Sequence, residues 1–316
     1  MGILRLLLWR SVLAALTLLL VSVIVFMMLE VLPGDVATRI LGSDATAQSL
    51  AVLRDELGLN QPAIARYLAW LGGLLTGDLG NSLVSRRPIP DILAPRVFNT
   101  LMLSTYAFLL YLPLALIPAL LQAIRRDRLV DHVLSTVTLV LLSMPDFLLA
   151  TLLLLIFVIY IPIFPAISLV DQSSSFWEYV QAMTLPAVTL AIVMAVYAVR
   201  MLRDNLIEVL ESDYVRMAEL KGLSARHVLL RHALPNAMVP TLNVTALNLA
   251  YLVGGVVVVE KVFSYPGFGS LLVDSLQLRD LPVIEVTVMI AALVYISANL
   301  FADIAAILLN PRLADG

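Results

Sequence analysis

The sequence contains no cysteine, only two lysines and three histidines, and few charged residues of either sign. Without cysteine, neither a disulfide framework nor a thiolate metal site can form. Neither lysine follows a glycine, so the Gly-Lys-Ser/Thr loop that cradles nucleotide phosphates is absent. No His-x-x-x-His pair and no Gly-x-Ser-x-Gly turn occurs either, which argues against zinc proteases and serine hydrolases. We therefore predict no catalytic residue, no metal ligand and no cofactor site in this chain.

Charged residues make up 14% of the chain and hydrophobic residues 61%. Soluble domains usually carry about 25% charged residues, so this chain lacks the polar surface that water requires. The net charge of −3 does not predict a nucleic-acid partner. The composition predicts an all-α integral membrane protein that is embedded in a lipid bilayer.

Charge-free stretches of membrane-spanning length recur along the chain, and a spanning helix needs roughly 20 mostly apolar residues. The six candidate spans are Ser11–Leu29, Val97–Ile124, Phe147–Val170, Tyr179–Val199, Ala233–Val259 and Val286–Ala302. The third span should start earlier, near His132, because the residues that follow it are also apolar. We therefore predict six transmembrane helices.

Basic residues near the span ends set the orientation, because cytoplasmic loops are enriched in arginine and lysine. The residues that an inside location of both termini would place in the cytoplasm are Arg5, Arg10, Arg125, Arg126, Arg128, Arg200, Arg203, Arg216, Lys221, Arg226, Arg231 and Arg312. The opposite orientation would put the most basic loops outside. We therefore expect cytoplasmic N- and C-termini, an extracytoplasmic segment at 30–96 and an extracytoplasmic loop at 260–282.

The cytoplasmic loop 200–236 contains two short predicted helices with a sharp break between them. Asp213 is a candidate N-cap for the first, and Gly222 can end it in a left-handed conformation. Ser224 is a candidate N-cap for a second helix that runs to Leu234. The apolar stripe on the first helix needs a covering surface, which a partner's groove or this chain's own fold could supply. The residues alone leave these two interpretations equally open.

Several motifs resemble the permeases of ABC importers. Ala218-x-x-x-Gly222 followed by Leu234-Pro235 resembles the signature loop of that family, and 213–236 resembles its dipeptide, oligopeptide and nickel branch. The segments Leu32-Pro33-Gly34-Asp35, Glu56-Leu57-Gly58-Leu59, Gly77–Ser82, Val259–Gly269 and Leu309–Arg312 agree with the first permease of that branch. The resemblance covers nearly the whole chain in the right order.

The resemblance implies a type I ABC importer permease fold, with 1–316 as a single permease domain. It also implies four kinds of partner: a homologous second permease, two ATPase subunits that carry the ATP and magnesium, an extracytoplasmic substrate-binding protein and the lipid bilayer. The residues that it places at or near the ATPase contact are Tyr214, Arg216, Ala218, Lys221, Gly222, Arg231, His232, Pro235 and Asn236. Arg216-Met217-Ala218 departs from the family's usual Glu-Ala-Ala, although a basic residue is common there in this branch.

Polar residues within the predicted spans are costly in lipid and should face protein or water. The candidates for a substrate path are Asp146, Asn243, Asn248 and Asn299. Hydrogen bonds between helices are the alternative role, and for the asparagines we favour it.

Three other functions remain to be compared with the importer: an ion-gradient-driven secondary transporter, a membrane scaffold and a membrane hydrolase. Matched inverted halves, which many secondary transporters contain, are not evident. Peptides are the first expectation for the cargo, but the same branch also carries opines, oligosaccharides and nickel chelates.

Overall fold

The computed structural model describes residues 3–31, 37, 41, 46–56, 60–165, 167–168, 175–254 and 256–309. Side chains are not described at 3–8, 56, 243, 250, 253–254 and 301–309. The motif residues 32–35, 57–59 and 310–312 therefore lie outside the described residues, as do the side chains of Asn243 and Asp303. All regular elements in the described ranges are helical, and one isolated bridge joins Asn81 to Pro88.

We number the helices in chain order. They are α1 (Ile3–Val31), α2 (Ala47–Glu56), α3 (Ala63–Thr76), α4 (Ile89–Ile124), α5 (Leu129–Leu142), α6 (Asp146–Leu154), α7 (Phe176–Leu210), α8 (Asp213–Leu220), α9 (Ala225–His227), α10 (Leu234–Gly254), α11 (Val256–Val262), α12 (Phe268–Leu278) and α13 (Leu281–Leu309). Two π-helical segments, Leu155–Tyr160 and Val228–Ala233, extend α6 and join α9 to α10.

Four helices in the described part of the chain are long and apolar enough to cross a membrane: Trp9–Val31, Ile89–Ile124, Phe176–Leu210 and Leu281–Leu300. A bent pair, Leu129–Leu142 with Asp146–Tyr160, could form a fifth span. The predicted span Ala233–Val259 falls on α10 and α11, which are not among these helices. The count of six spans and the cytoplasmic location of the termini stay predictions.

The third predicted span is sharply bent. α5 ends at the C-cap Ser143, and Pro145 is the N-cap of α6. The chain bends by 109° between these two helices. Proline at the start of a helix costs no hydrogen bond, because the first N–H groups of a helix have no intrahelical partner. The span is therefore two helices, not the single one expected.

The chain divides into two compact units. The assignment of 1–316 as a single domain stays a prediction. One unit comprises Met1–Asn99 with Gly267–Gly316. In it α1 packs against α13 and α3. The buried Asp280 accepts hydrogen bonds from the hydroxyl of Ser82 and from the N–H of Leu83, the latter at 3.0 Å. These bonds tie the turn that follows α3 to the start of α13.

The other unit, Thr100–Pro266, is centred on α7. In the most apolar stretch of α7, 72% of the residues are buried, against 11% in the corresponding stretch of α1. The buried side of α7 carries many small residues, which let neighbouring helices approach closely. They are Ala182, Ala187, Ala191, Ala195 and Ala198. α10, α5 and α6 pack against this helix, so α7 is the central element of the unit.

The predicted loop that starts at residue 260 begins as helix, because α11 continues to Val262. Glu260 is fully buried there and accepts a hydrogen bond from the hydroxyl of Thr100 at 2.5 Å. The N–H of Tyr265 donates to the carbonyl of Glu260 at 2.8 Å. Tyr265 is also fully buried, and this burial raises the pKa of its phenol. The first part of this motif therefore forms a packed helix end.

Candidate coupling site

The first helix of the loop 200–236, α8, starts one residue earlier than predicted. Ser212 is its N-cap and Asp213 its first residue, so the assignment of Asp213 as the cap was wrong. The hydroxyl of Ser212 donates to the carbonyl of Val209 and makes no capping bond. Asp213 still stabilises the helix, because a carboxylate in the first turn interacts favourably with the helix dipole.

The C-terminus of α8 explains the spacing of the Ala-x-x-x-Gly motif. Gly222 has φ +82°, which confirms the predicted left-handed conformation. Its N–H donates to the carbonyl of Glu219 at 2.8 Å, and the N–H of Leu223 donates to the carbonyl of Ala218 at 3.4 Å. These are the two bonds of a Schellman motif, in which the residue four before the glycine accepts the outer bond. Ala218 and Gly222 are therefore the two ends of one helix-terminating device, with Lys221 at the C-cap.

The second cytoplasmic helix starts as predicted but does not end at Leu234. The Ser224 hydroxyl accepts a hydrogen bond from the N–H of His227 at 3.4 Å, which confirms the predicted cap. From Ala225 the chain then runs through α9 and the π-helical segment Val228–Ala233 directly into α10. Pro235 lies in the first turn of α10, immediately after the π-helical segment. Proline has no backbone N–H, and local π-helical geometry can satisfy the carbonyl group that this leaves free. The helix therefore continues through Pro235 and does not end at Leu234 as predicted.

Three of the predicted coupling residues meet at one point. The hydroxyl of Tyr214 donates to the carbonyl of His232 at 3.3 Å. The side-chain amide of Asn236 donates to the Tyr214 oxygen at 3.0 Å and to the His232 carbonyl at 2.8 Å. α8 also packs against the π-helical segment, and Val215 and Val228 are buried in these two elements. We call this set Tyr214, His232 and Asn236 the loop anchor, because it fixes α8 to the chain that leads into α10.

The outer side of α8 is apolar and uncovered. Met217 is 55% exposed and Leu220 is 81% exposed, and Tyr214 is 45% exposed. Arg216 and Lys221 lie on the same short helix end and are exposed. An open groove beside them is lined by Ser224, Arg226, His227, Leu230, Arg231 and Pro235. Of the predicted stripe Tyr214, Met217 and Ala218, Met217 is thus uncovered, Ala218 is half-buried and Tyr214 is partly covered by its contacts to His232 and Asn236. The assignment of these residues to an ATPase contact stays a prediction.

One ion pair near this surface was missed by sequence reasoning. Arg203, near the end of α7, donates from Nε and Nη2 to the two carboxylate oxygens of Asp131 at 2.8 and 2.7 Å. Asp131 is only 2% exposed, and it also accepts from the N–H of Asp127 at 3.1 Å. A second, exposed pair joins Arg126 to Glu211. The two pairs connect the first turn of α5 and the turn before it to the C-terminal end of α7. Their only sequence signal is the cluster of arginines that also sets the orientation.

The intramembrane polar residues do not form one cluster. Asp146 accepts a hydrogen bond from Tyr251, which links α6 to α10. The amide of Asn248 donates to the carbonyl of Met194 in α7 at 3.1 Å. The amide of Asn299 donates to the carbonyl of Tyr295 within its own helix at 3.0 Å. The bond of Asn248 joins two helices, which is the role favoured for the asparagines, whereas the bond of Asn299 lies within one helix. A role of Asp146, Asn248 or Asn299 in a substrate path stays a prediction.

Comparison with known protein families identifies the family of this chain. Residues 88–315 match the family described as "Binding-protein-dependent transport system inner membrane component". Residues 3–104 match its N-terminal companion, "Binding-prot-dependent transport system membrane comp, N-term". The chain belongs to this family. It is a multi-pass inner-membrane protein and the permease component of a binding-protein-dependent ABC importer, of the dipeptide/oligopeptide/nickel class.

Curated relatives match this permease over almost its full length. The "Glutathione transport system permease protein GsiC" of Escherichia coli K12 is 36% identical over 297 residues, which cover 94% of each chain. The proteins of the same name from Salmonella choleraesuis and Salmonella typhi are each 37% identical, with the same coverage. These matches support the resemblance to the first permease of the branch and classify the protein as a transport component.

Proposed function

We propose that this permease and a homologous second permease form the translocation path of a type I importer, and that the surface around α8 couples the path to two ATPase subunits. The proposed topology has six spans and cytoplasmic termini, with 200–236 in the cytoplasm. The observation that carries the proposal is the geometry of α8. This short helix is terminated by a Schellman motif, fixed by the loop anchor and left apolar on its outer side.

The exposed side of α8 supports a docked partner. Tyr214, Met217 and Leu220 bring apolar area to a surface that faces no described residue of this chain closely enough to bury them. A short amphipathic helix of this kind is a usual ligand for an apolar groove. Arg216 and Lys221 would meet acidic groups at the rim of such a groove, and Arg231 and Pro235 flank the open side. We propose that the ATPase subunits supply the groove and bind the ATP and magnesium.

The cargo that we propose is a peptide or a similar small solute. The relatives named above are glutathione transport permeases, and glutathione is itself a small peptide. It is therefore the first solute to test. Opines, oligosaccharides and nickel chelates remain alternatives within the same importer type, because an extracytoplasmic binding protein would select the cargo.

Co-purification tests the proposed assembly. The tagged chain would be expressed with its chromosomal neighbours, extracted in mild detergent and examined by mass spectrometry. We expect a homologous permease and ATPase subunits to be recovered with it. Recovery of the chain alone, from cells that make those neighbours, together with uptake that a protonophore abolishes while ATP is maintained, would favour an ion-gradient-driven carrier.

The topology can be tested on the natural background, because the chain has no cysteine. Asn60→Cys and Glu219→Cys each introduce a single thiol at an exposed position. In intact spheroplasts, a membrane-impermeant maleimide should label the first variant and leave the second unlabelled until the membrane is opened. The reverse pattern would invert the topology and remove α8 from the cytoplasm.

A further inference from the structure

A cavity of about 400 Å³ lies in the unit formed by 1–99 and 267–316. Its walls are the last turns of the α1 span, one side of α3, the turn after α3 and the first turns of α13. The polar groups in these walls include Glu30, Arg66, Trp70, Asp78 and Glu285. None of them belongs to the proposed coupling surface.

The cavity is at a membrane boundary. Phe26 and Glu30 stand near the C-terminal end of the span Trp9–Val31, and Leu281 and Glu285 stand at the N-terminal end of the span Leu281–Leu300. Because α1 and α13 contact each other, these two ends mark the same face of the bilayer. A molecule in the cavity would therefore sit at the depth of lipid headgroups.

Arg66 has unused hydrogen-bonding capacity in this cavity wall. Both of its bonds to Glu30 come from Nη2, to the two carboxylate oxygens at 2.6 and 2.5 Å. Its Nε is buried without an acceptor among the described residues, and so is the indole Nε1 of Trp70 one turn further along α3. Buried donors of this kind are rare in native structures, because each lacks the acceptor that water would supply. Both residues line the cavity, but these two N–H groups have almost no accessible surface. A ligand in the cavity would bond to them only after a small shift of the side chains.

Glu285 presents the opposite requirement. Its side chain is 7% exposed, and with the described residues its carboxylate forms neither a hydrogen bond nor an ion pair. The charge of Arg66 acts on Glu285, but Arg66 forms its ion pair with Glu30, so the two carboxylates share one cation. A buried carboxylate without a partner is unfavourable, and a cation would relieve it. The cavity therefore combines unused donors with an unpaired carboxylate.

The outer side of α3 adds an apolar surface beside the cavity. Ile64, Leu68 and Leu75 are 75%, 59% and 80% exposed, and no charged side chain lies between them on that side. The helix is held to the α1 span by a hydrogen bond between Ser22 and Tyr67 at 2.9 Å. Because Ser22 lies well inside that span, the apolar side of α3 is at the level of the lipid chains.

We propose that the cavity between α1, α3 and α13 binds a zwitterionic group, with its ammonium at Glu285 and its oxyanion at Arg66 and Trp70. A phosphatidylethanolamine headgroup carries both charges, and its acyl chains would lie along the exposed side of α3. A free zwitterion such as a dipeptide carries the same two charges without acyl chains. The two sources share the recognition chemistry and differ in their need for the apolar surface.

The test uses Trp70 as a reporter in the full-length chain. Of the three tryptophans, Trp9 and Trp177 are exposed, and Trp9→Phe with Trp177→Phe leaves the cavity indole alone. The detergent-solubilised variant would be titrated with dihexanoyl phosphatidylethanolamine, dihexanoyl phosphatidylglycerol and glycylglycine. We expect a saturable change in emission with phosphatidylethanolamine and binding at least tenfold weaker with phosphatidylglycerol, which has no ammonium. Saturation by glycylglycine at equal strength would assign the site to soluble zwitterions and still support the charge pattern.

Two variants that each remove one charge from the cavity wall supply the decisive comparison. Glu285→Gln and Arg66→Gln should each weaken phosphatidylethanolamine binding by tenfold or more. Arg87→Gln and Asp91→Asn, at exposed positions outside the cavity, should leave it unchanged. Gel filtration of each variant checks that the fold is intact. Equal binding of the two lipids, or equal binding by cavity and control variants, would overturn the proposal.

Discussion

Replacement of Gly222 by valine is the sharpest test of the coupling surface. A Cβ at Gly222 would meet no atom within 4 Å, so there is room for the first carbon of a side chain. The strain comes from φ +82°, a left-handed conformation that costs an L-residue about 1–2 kcal/mol, and more when the side chain is β-branched. A change of 1–2 kcal/mol alters a two-state population by a factor of roughly 5–30. The Schellman termination of α8 should therefore be lost in most molecules.

We expect Gly222→Val to abolish uptake and ATPase co-purification while the chain remains in the membrane fraction, because the strain is confined to an exposed loop. Uptake of labelled cargo by whole cells, immunoblotting of membranes and recovery of the ATPase subunits measure the three quantities. Gly222→Asn is the matched control, since asparagine tolerates the left-handed region, and it should retain most uptake. Unchanged transport by the valine variant would refute the coupling assignment.

Three further outcomes follow from the hydrogen bonds and ion pairs. Tyr214→Phe removes the hydroxyl of the loop anchor and should cost about 0.5–1.5 kcal/mol, and in thermal melts its effect should not add to that of Asn236→Ala, because both break the same contact. Asp131→Asn removes the two-point partner of Arg203, which keeps only its ion pair with Asp204, and should destabilise the chain by about 1–3 kcal/mol; an equal effect from the exposed Arg126→Gln would contradict this ranking. Asp280→Ala leaves two donors without their acceptor and should cost at least about 1–3 kcal/mol, seen as faster proteolysis of the turn after α3.

The predicted helix signals in the cytoplasmic loop succeeded where the local chemistry had one solution. Glycine is the residue that most easily adopts the left-handed conformation, so Gly222 marked the end of α8 correctly. Ser224 stood at the start of the next helix with no competing cap and was also predicted correctly. The first cap failed because Ser212 and Asp213 are adjacent and both are good caps. The hydroxyl of Ser212 bonds backwards to Val209, a choice that depends on how α7 ends.

The prolines show why the spans could be located but not shaped. Pro186 and Pro240 lie inside continuous helices, whereas Pro145 begins α6 after a sharp bend. Pro113 and Pro118 likewise lie within the unbroken α4. A missing N–H weakens a helix at every proline, and tertiary contacts decide whether the helix continues. At the bend, Asp146 bonds to Tyr251 of another helix, a partner 105 residues away that no local pattern indicates.

The unbroken path from Ala225 into α10 has a mechanical consequence. Residues 225–254 are helical throughout, which at about 1.5 Å per residue gives a rod of roughly 45 Å. The loop anchor attaches α8 to the N-terminal part of this segment. Under the coupling proposed above, a displacement of α8 by a bound partner would therefore act on a continuous helix and not on a flexible loop.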